Sequence, residues 1–238
     1  MGVLNRDISI TWLGHAAFKI TSPGGKVVMI DPWLSGNPAC PDHLKTVDRC
    51  DLILVTHGHF DHMGDAVPLA QQTGATVVGI FELATYLQGK GVKNASGMNK
   101  GGTQAVGDIK VTMVNAVHSC GALDNGTIVY TGEPVGYVVE FENGFKVYHA
   151  GDTAVFGDMR LIGEIYRPDL ALLPIGDYYV MSPKEAAHAI RLLGVKRVVP
   201  MHYQTFPVLT GTPDALRRET ADIAGLEIIE MRPGDTID

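Results

Sequence analysis

One stretch, Thr56-His57-Gly58-His59-Phe60-Asp61-His62, constrains this chain more than any other. It follows a short, uninterrupted apolar run, Leu52-Ile53-Leu54-Val55, of the kind that forms a strand buried on both faces of a parallel sheet. Three histidines and an aspartate therefore fall within six residues at the carboxyl end of a strand. Open α/β sheets place their ligands at that end. Packing does not ask for four such groups together, because they are costly to bury unless paired or bound to a metal. On an extended or tightly turned segment, His57 and His59 aim two imidazoles at one point. Asp61 and His62, one turn further on, aim at a second point beside it.

The rest of the composition narrows what such a chain does. Its 238 residues suffice for one large α/β domain with a buried core. A net charge of −7 argues against a nucleic-acid binder, which needs a basic stripe along the phosphate backbone. No apolar run approaches the ~20 residues of a membrane span, so no membrane partner is expected. The segment Met1 to Asp7 lacks a basic region followed by an apolar one, so no secretory signal is expected. Cys40, Cys50 and Cys120 are odd in number and show no CxxC spacing, which predicts reduced thiols in a cytoplasmic protein.

Taken in order, the chain alternates strand and helix signals. Strands are predicted over 8–13, 17–20 and 27–30, with Ser22-Pro23-Gly24-Gly25 as a turn, in an antiparallel meander. Asp31 follows the third strand, where it either supports the histidine cluster from behind or simply forms a turn. Helices are predicted over 64–72 and 82–88, flanking a buried strand over 76–80. Strands return over 110–117, 135–141 and 145–149, the last two joined at Asn143-Gly144. Ser182-Pro183-Lys184-Glu185 reads as a capping box with proline at the first helical position, opening a helix that ends at Gly194. A helix within 212–225 and a strand over 226–229 complete the pattern. Three further ligand types fall just past apolar runs: His118, Asp152 and His202. A lone histidine there is commonly structural; three in register with the first cluster are not independent accidents.

Thr-His-x-His-x-Asp-His, then a distant His, a Gly-Asp-Thr and a final His, resembles the metallo-β-lactamase superfamily. Trp12-Leu13-Gly14-His15, Asp31-Pro32-Trp33-Leu34-Ser35-Gly36-Asn37-Pro38, His149-Ala150-Gly151-Asp152-Thr153 and Met201-His202-Tyr203 resemble its metal-dependent hydrolase branch, UPF0173-like and near ascorbate-6-phosphate lactonase. The similarity runs from about Ile8 to Phe206. It implies a four-layer αββα sandwich, two mixed sheets with helices on the outer faces, matching the two-half rhythm around Gly107. A single domain over 1–238 is expected, since neither half holds a full ligand set.

The resemblance also implies a residue-by-residue assignment. His57, His59 and His118 would bind a first metal and Asp61, His62 and His202 a second, with Asp152 bridging. Imidazole and carboxylate ligands suit Zn²⁺ first, with Mn²⁺, Fe or Ni²⁺ as alternatives. Two ions roughly 3.5–4 Å apart would share a hydroxide that attacks a lactone, ester or amide carbonyl. A phosphodiester is the alternative substrate, and a non-catalytic metal-binding protein is the alternative of another class. Asp61 would orient the hydroxide or carry its proton. His15 joins Asp61 and Asp152 among the catalytic candidates as a support or substrate contact, and Tyr203 as an oxyanion or substrate donor. Tyr178, Tyr179 and the segment 119–134 are further candidates for substrate contact, and His149 points either way. His188 reads as packing, and Cys120 as a weak ligand candidate. The partner is a small molecule. Oligomeric state is left open, a homo-oligomer included.

Overall fold

The apolar runs become adjacent strands in register, and that registration brings the candidate ligands together. The computed structural model describes Leu4 and residues 6–238, so part of the segment 1–7 read for a leader lies outside the described residues. The first sheet uses β1 (Ser9–Trp12), β2 (Phe18–Thr21), β3 (Val27–Ile30), β4 (Leu52–Leu54), β5 (Thr76–Ile80) and β6 (Ala95–Met98). Then come β7 (Thr103–Val106), β8 (Ile109–Asn115), the hairpin β9 (Ala122–Asp124) and β10 (Thr127–Val129), β11 (Val135–Glu140) and β12 (Lys146–His149). The chain finishes with β13 (Leu170–Pro174), β14 (Arg197–Met201), β15 (Glu227–Ile228) and β16 (Thr236–Ile237). Interspersed are α1 (Phe60–Met63), α2 (Ala66–Thr73), α3 (Phe81–Gly89), α4 (Met159–Tyr166), α5 (Pro183–Leu193) and α6 (Pro213–Glu219).

Two seven-stranded sheets result, ordered β16-β1-β2-β3-β4-β5-β6 and β15-β14-β13-β12-β11-β8-β7. Each is mixed in the same way: antiparallel at one end, where short turns connect neighbours, and parallel from β3 to β6 and from β12 to β15. The parallel runs are β-branched and leucine-rich because they are covered on both faces, and β4, β13 and most of β5 are buried throughout. One continuous apolar core holds side chains of both sheets. Tyr137 of β11 spans the layers, its hydroxyl donating to Val55 O at 2.9 Å. The two mixed sheets with their helices are the sandwich expected from the resemblance.

Several boundaries differ from the sequence reading. The crossover between sheets falls between β6 and β7, near residue 100 and not near Gly107, and β16 returns from the far end of the chain to pair with β1. Helix α6 ends at Glu219, short of Gly225. The strands β6, β7, β9, β10, β13 and β16, and the helices α1 and α4, were not expected. Helix α5 begins as read: Ser182 Oγ accepts from Glu185 N, and the Glu185 carboxylate accepts from Ser182 N.

Candidate metal centre

The site is assembled from four strand ends. β4 delivers the loop His57-Gly58-His59, and α1 starts at once, carrying Asp61 and His62. The other three ends belong to the second sheet: His118 follows β8, Asp152 follows β12 and His202 follows β14. The loops bearing His118 and Asp152 are clamped together, since Val117 N donates to Thr153 Oγ1 at 3.0 Å and Ala154 N to Val117 O at 2.9 Å. His202 sits in the left-handed region at φ 55° and its N–H donates to His15 O at 3.0 Å. Gly151, at φ +63°, admits no side chain, because a Cβ there would lie 2.7 Å from Val135 O.

Asp31 is the support behind this cluster, so the first of its two sequence readings is the one realised. Fully buried, it accepts from Thr56 N at 2.8 Å, from Thr56 Oγ1 at 2.7 Å and from His62 Nδ1 at 2.8 Å. With its proton committed to Asp31, Thr56 Oγ1 is left to accept from His57 Nδ1 at 3.0 Å. Both histidines are thereby fixed in the tautomer that turns a bare Nε2 toward the centre.

All seven candidate ligands come together, in groups whose donor atoms lie within 4.8 Å of one another. One group is His57, His59 and His118; a second is His15, Asp61, His62 and His202; a third joins His57 and His62 to Asp152. Asp152 Oδ2 lies 3.0 Å from His202 Nε2, 3.2 Å from His62 Nε2 and 3.6 Å from His118 Nε2. Yet His62 Nε2, His202 Nε2 and Asp152 Oδ1 are buried without a hydrogen-bond partner. The approaches are short but misaligned, as expected of lone pairs that converge on shared centres between the groups and not on one another. Buried polar atoms left in that way fit divalent cations, and the all-nitrogen-and-oxygen donor set fits borderline or hard ones.

The electrostatics point the same way. Burial resists charge on His62, but the Asp152, Asp31 and Asp61 carboxylates around it win and hold its pKa well above the usual value. Burial likewise resists ionisation of Asp152, and is outweighed by His202 and His62, which hold its carboxyl well below the usual range. For His57, His59 and His118 burial comes first, reinforced by neighbouring imidazoles, and all three are pushed toward the neutral, ligating form. Carboxylates that favour positive charge at His62, beside three imidazoles kept neutral, make a pocket of cation-binding character.

The family model for the beta-lactamase superfamily domain matches residues 26–203. A UPF0173 metal-dependent hydrolase of Rubrobacter xylanophilus is 60% identical over 96% of this chain and 95% of that protein. This chain belongs to the β-lactamase superfamily and, within it, to the UPF0173 metal-dependent hydrolases. A second member of that group, from Methanopyrus kandleri, is 50% identical over 95% of this chain and 98% of its own. Among solved structures, Igni18, a metallo hydrolase from the hyperthermophilic archaeon Ignicoccus hospitalis, superposes with a TM-score of 0.84. It is 36% identical, with 96% of this chain and 97% of that one covered.

Within this superfamily member the remaining candidates sort by geometry. His15 is fully buried and its Nε2 lies 3.0 Å from Asp61 Oδ2. It stands behind Asp61 and is not among the residues lining the pocket over the cluster, a place from which it can orient that carboxylate. Burial and the adjacent His202 pull its pKa down to about 4, so the neutral ring donates to the carboxylate. Tyr203, expected to serve an oxyanion, is placed elsewhere: it is buried, stacks on Trp12 at 5.4 Å and lines a separate cavity with Thr212 and Glu230. The left-handed turn at His202 sends the next side chain away from the ligand cluster.

His149 is satisfied structurally, donating from Nε2 to Ala16 O and accepting at Nδ1 from Gly151 N. His188 is exposed on α5. Cys120 Sγ lies beside Gly58 N and Thr131 Oγ1, outside every group of donors. Of the segment 119–134 only Ser119 lines the pocket; Tyr179 does so too, whereas Tyr178 turns outward against it. The sequence reading missed Phe206 and Val208, which line the pocket from a loop with no periodicity to betray it.

Proposed function

We propose that this chain hydrolyses a carbonyl ester, lactone or amide of a small molecule at a centre of two divalent ions, zinc first among them. His57, His59 and His118 would hold one ion, Asp61, His62 and His202 the other, and Asp152 both. The observation that carries this reading is the position of Asp152 Oδ2, within 3.6 Å of imidazole nitrogens from both sets of candidate ligands. Its many relatives named metal-dependent hydrolases support the same class of chemistry.

Two divalent ions held there would supply Lewis acidity for the substrate oxygen and make water nucleophilic near neutral pH. The chain's own part is to orient and to carry protons. Asp61 faces the pocket with Oδ2 engaged by His15, which leaves Oδ1 to align the attacking water and take its proton. Asp31 and Thr56 keep the His62 and His57 rings in their ligating tautomers. Phe60 and Phe206 wall the pocket against bulk water. Three unpaired cysteines support a reducing compartment such as the cytoplasm, and no described helix is long and apolar enough to cross a membrane.

The test is metal content by mass spectrometry together with turnover of p-nitrophenyl butyrate by zinc- and manganese-loaded protein, with Asp152→Ala as the blank. Two metals per chain and turnover lost by roughly 10³-fold or more in the variant are expected. Preferred cleavage of bis(p-nitrophenyl) phosphate would move the protein to the phosphodiesterases. Two metals with no turnover of either would leave a binding protein.

A further inference from the structure

Above the cluster opens a cavity of about 550 Å³, within the range of small-molecule sites. Its floor is the ligand set, and its walls are a different kind of surface. Phe60 is 60% exposed, Tyr179 54% and Val208 40%, with Phe206 half-buried beside them. Large apolar side chains left open at the mouth of a concave site mark a surface that a ligand covers.

This wall is held rigid from beneath. Trp33, buried, meets the Phe60 ring edge-on at 5.7 Å and lies 5.9 Å from the Phe206 ring, which in turn meets His15 at 5.4 Å. Trp33 belongs to the loop that Asp65 pins by accepting from Leu34 N, Ser35 N and Ser35 Oγ. An aromatic surface fixed in this way binds without paying to order itself.

Charge completes the argument. Among the described residues, no lysine or arginine lines this cavity, and beyond the ligand set its polar groups are Ser119 and the Tyr179 hydroxyl. A carboxylate or phosphate on the far part of a substrate would be stripped of water there with no cation to receive it, which is costly.

We propose that the acyl group of the substrate is uncharged and aromatic or branched-aliphatic, seated among Phe60, Phe206, Val208 and Tyr179. This rests on the hydrolytic reading above and adds to it the recognition of the non-reacting part. In the reaction, the acyl carbon–oxygen bond breaks, the water oxygen becomes a carboxylate oxygen, and the alcohol or phenolate departs.

Two p-nitrophenyl esters that differ only in the para substituent of the acyl ring test it: the 4-methylphenylacetate, which is neutral, and the 4-carboxyphenylacetate, which carries a charge too remote to assist its own hydrolysis. Metal-loaded protein should favour the neutral ester by about tenfold or more in kcat/KM, each value divided by the ester's spontaneous rate. Val208→Lys, at an exposed position outside the ligand set, should shift that ratio about tenfold toward the charged ester, whereas Val208→Thr should not. Binding of the ketone 4-methylphenylacetone, which presents the same acyl group with no bond to hydrolyse, followed by calorimetry on the loaded protein, should weaken about tenfold in Phe206→Ala. Equal or reversed preference between the esters overturns the inference while leaving hydrolysis intact. Ketone binding that is strong and sensitive to Phe206, without turnover of either ester, upholds the pocket and overturns the hydrolytic reading. No ketone binding overturns the pocket, whatever the esters do.

Discussion

Asp31 accepts hydrogen bonds from Thr56 N, Thr56 Oγ1 and His62 Nδ1, with no side-chain surface exposed. Its removal would strand a buried N–H and free two imidazoles to change tautomer. Asp31→Ala is therefore expected to destabilise the fold by about 2–4 kcal/mol and to weaken metal binding by roughly 10–100-fold. Chemical denaturation and competition with a chromogenic chelator measure the two effects separately. A variant that loses stability but keeps full metal affinity would mean that the His57 and His62 rings are held by packing alone. Tyr203 makes the opposite case. Its ring stacks on Trp12 in another cavity, and burial lifts its hydroxyl to about 12. Tyr203→Phe should leave kcat/KM within about twofold, against the 10²–10³ lost with an oxyanion donor; a loss of that larger size would restore the tyrosine to the reaction.

At the level of elements, what could be read from the sequence follows from where the signal is local. The strands β3, β4, β5 and β14 announce themselves because they are buried on both faces, and α5 because its capping box is written in four adjacent residues. The candidate ligands were legible for a related reason: imidazoles and carboxylates just past apolar runs have no packing role to fill. Helix α4 was not legible, because no side chain caps its start and Gly163 interrupts it. That glycine answers to a partner far along the chain, since a Cβ there would lie 2.1 Å from Leu193 O at the end of α5. Its reason is tertiary, as are those of the pocket wall, where Phe206 is placed by Trp33 from a remote loop. Gly163→Ala improves helix propensity by about 1 kcal/mol but drives α4 off α5. A net loss of about 1–3 kcal/mol is expected from that overpacking. Thermal unfolding checks the sign, and a stabilised variant would show that the two helices separate freely.

Across the whole molecule, the site stitches two sheets that the chain has already interlaced. The first sheet sends His57, His59, Asp61 and His62 from the end of β4; the second sends His118, Asp152 and His202. The chain crosses between sheets near residue 100, where Gly101 N donates to Met113 O and Met113 N to Gly102 O, so the crossover is itself bonded to the second sheet. At the other end β16 leaves the second half to pair with β1, and Leu4 N donates to Asp238 O. No cut frees one sheet without breaking the other's edge, which makes a single cooperative unit over 1–238 the expected behaviour. Metal should then stabilise the whole and not a half: an ion at 100 times its dissociation constant adds about 2.7 kcal/mol, roughly 5–10 °C for a chain of this length. Calorimetry with and without zinc is expected to give one transition that moves as a whole, and limited proteolysis to slow at all sites together. Two transitions, with metal shifting only one, or two stable fragments that each retain metal, would mean that the halves fold separately and that the centre is borrowed between them.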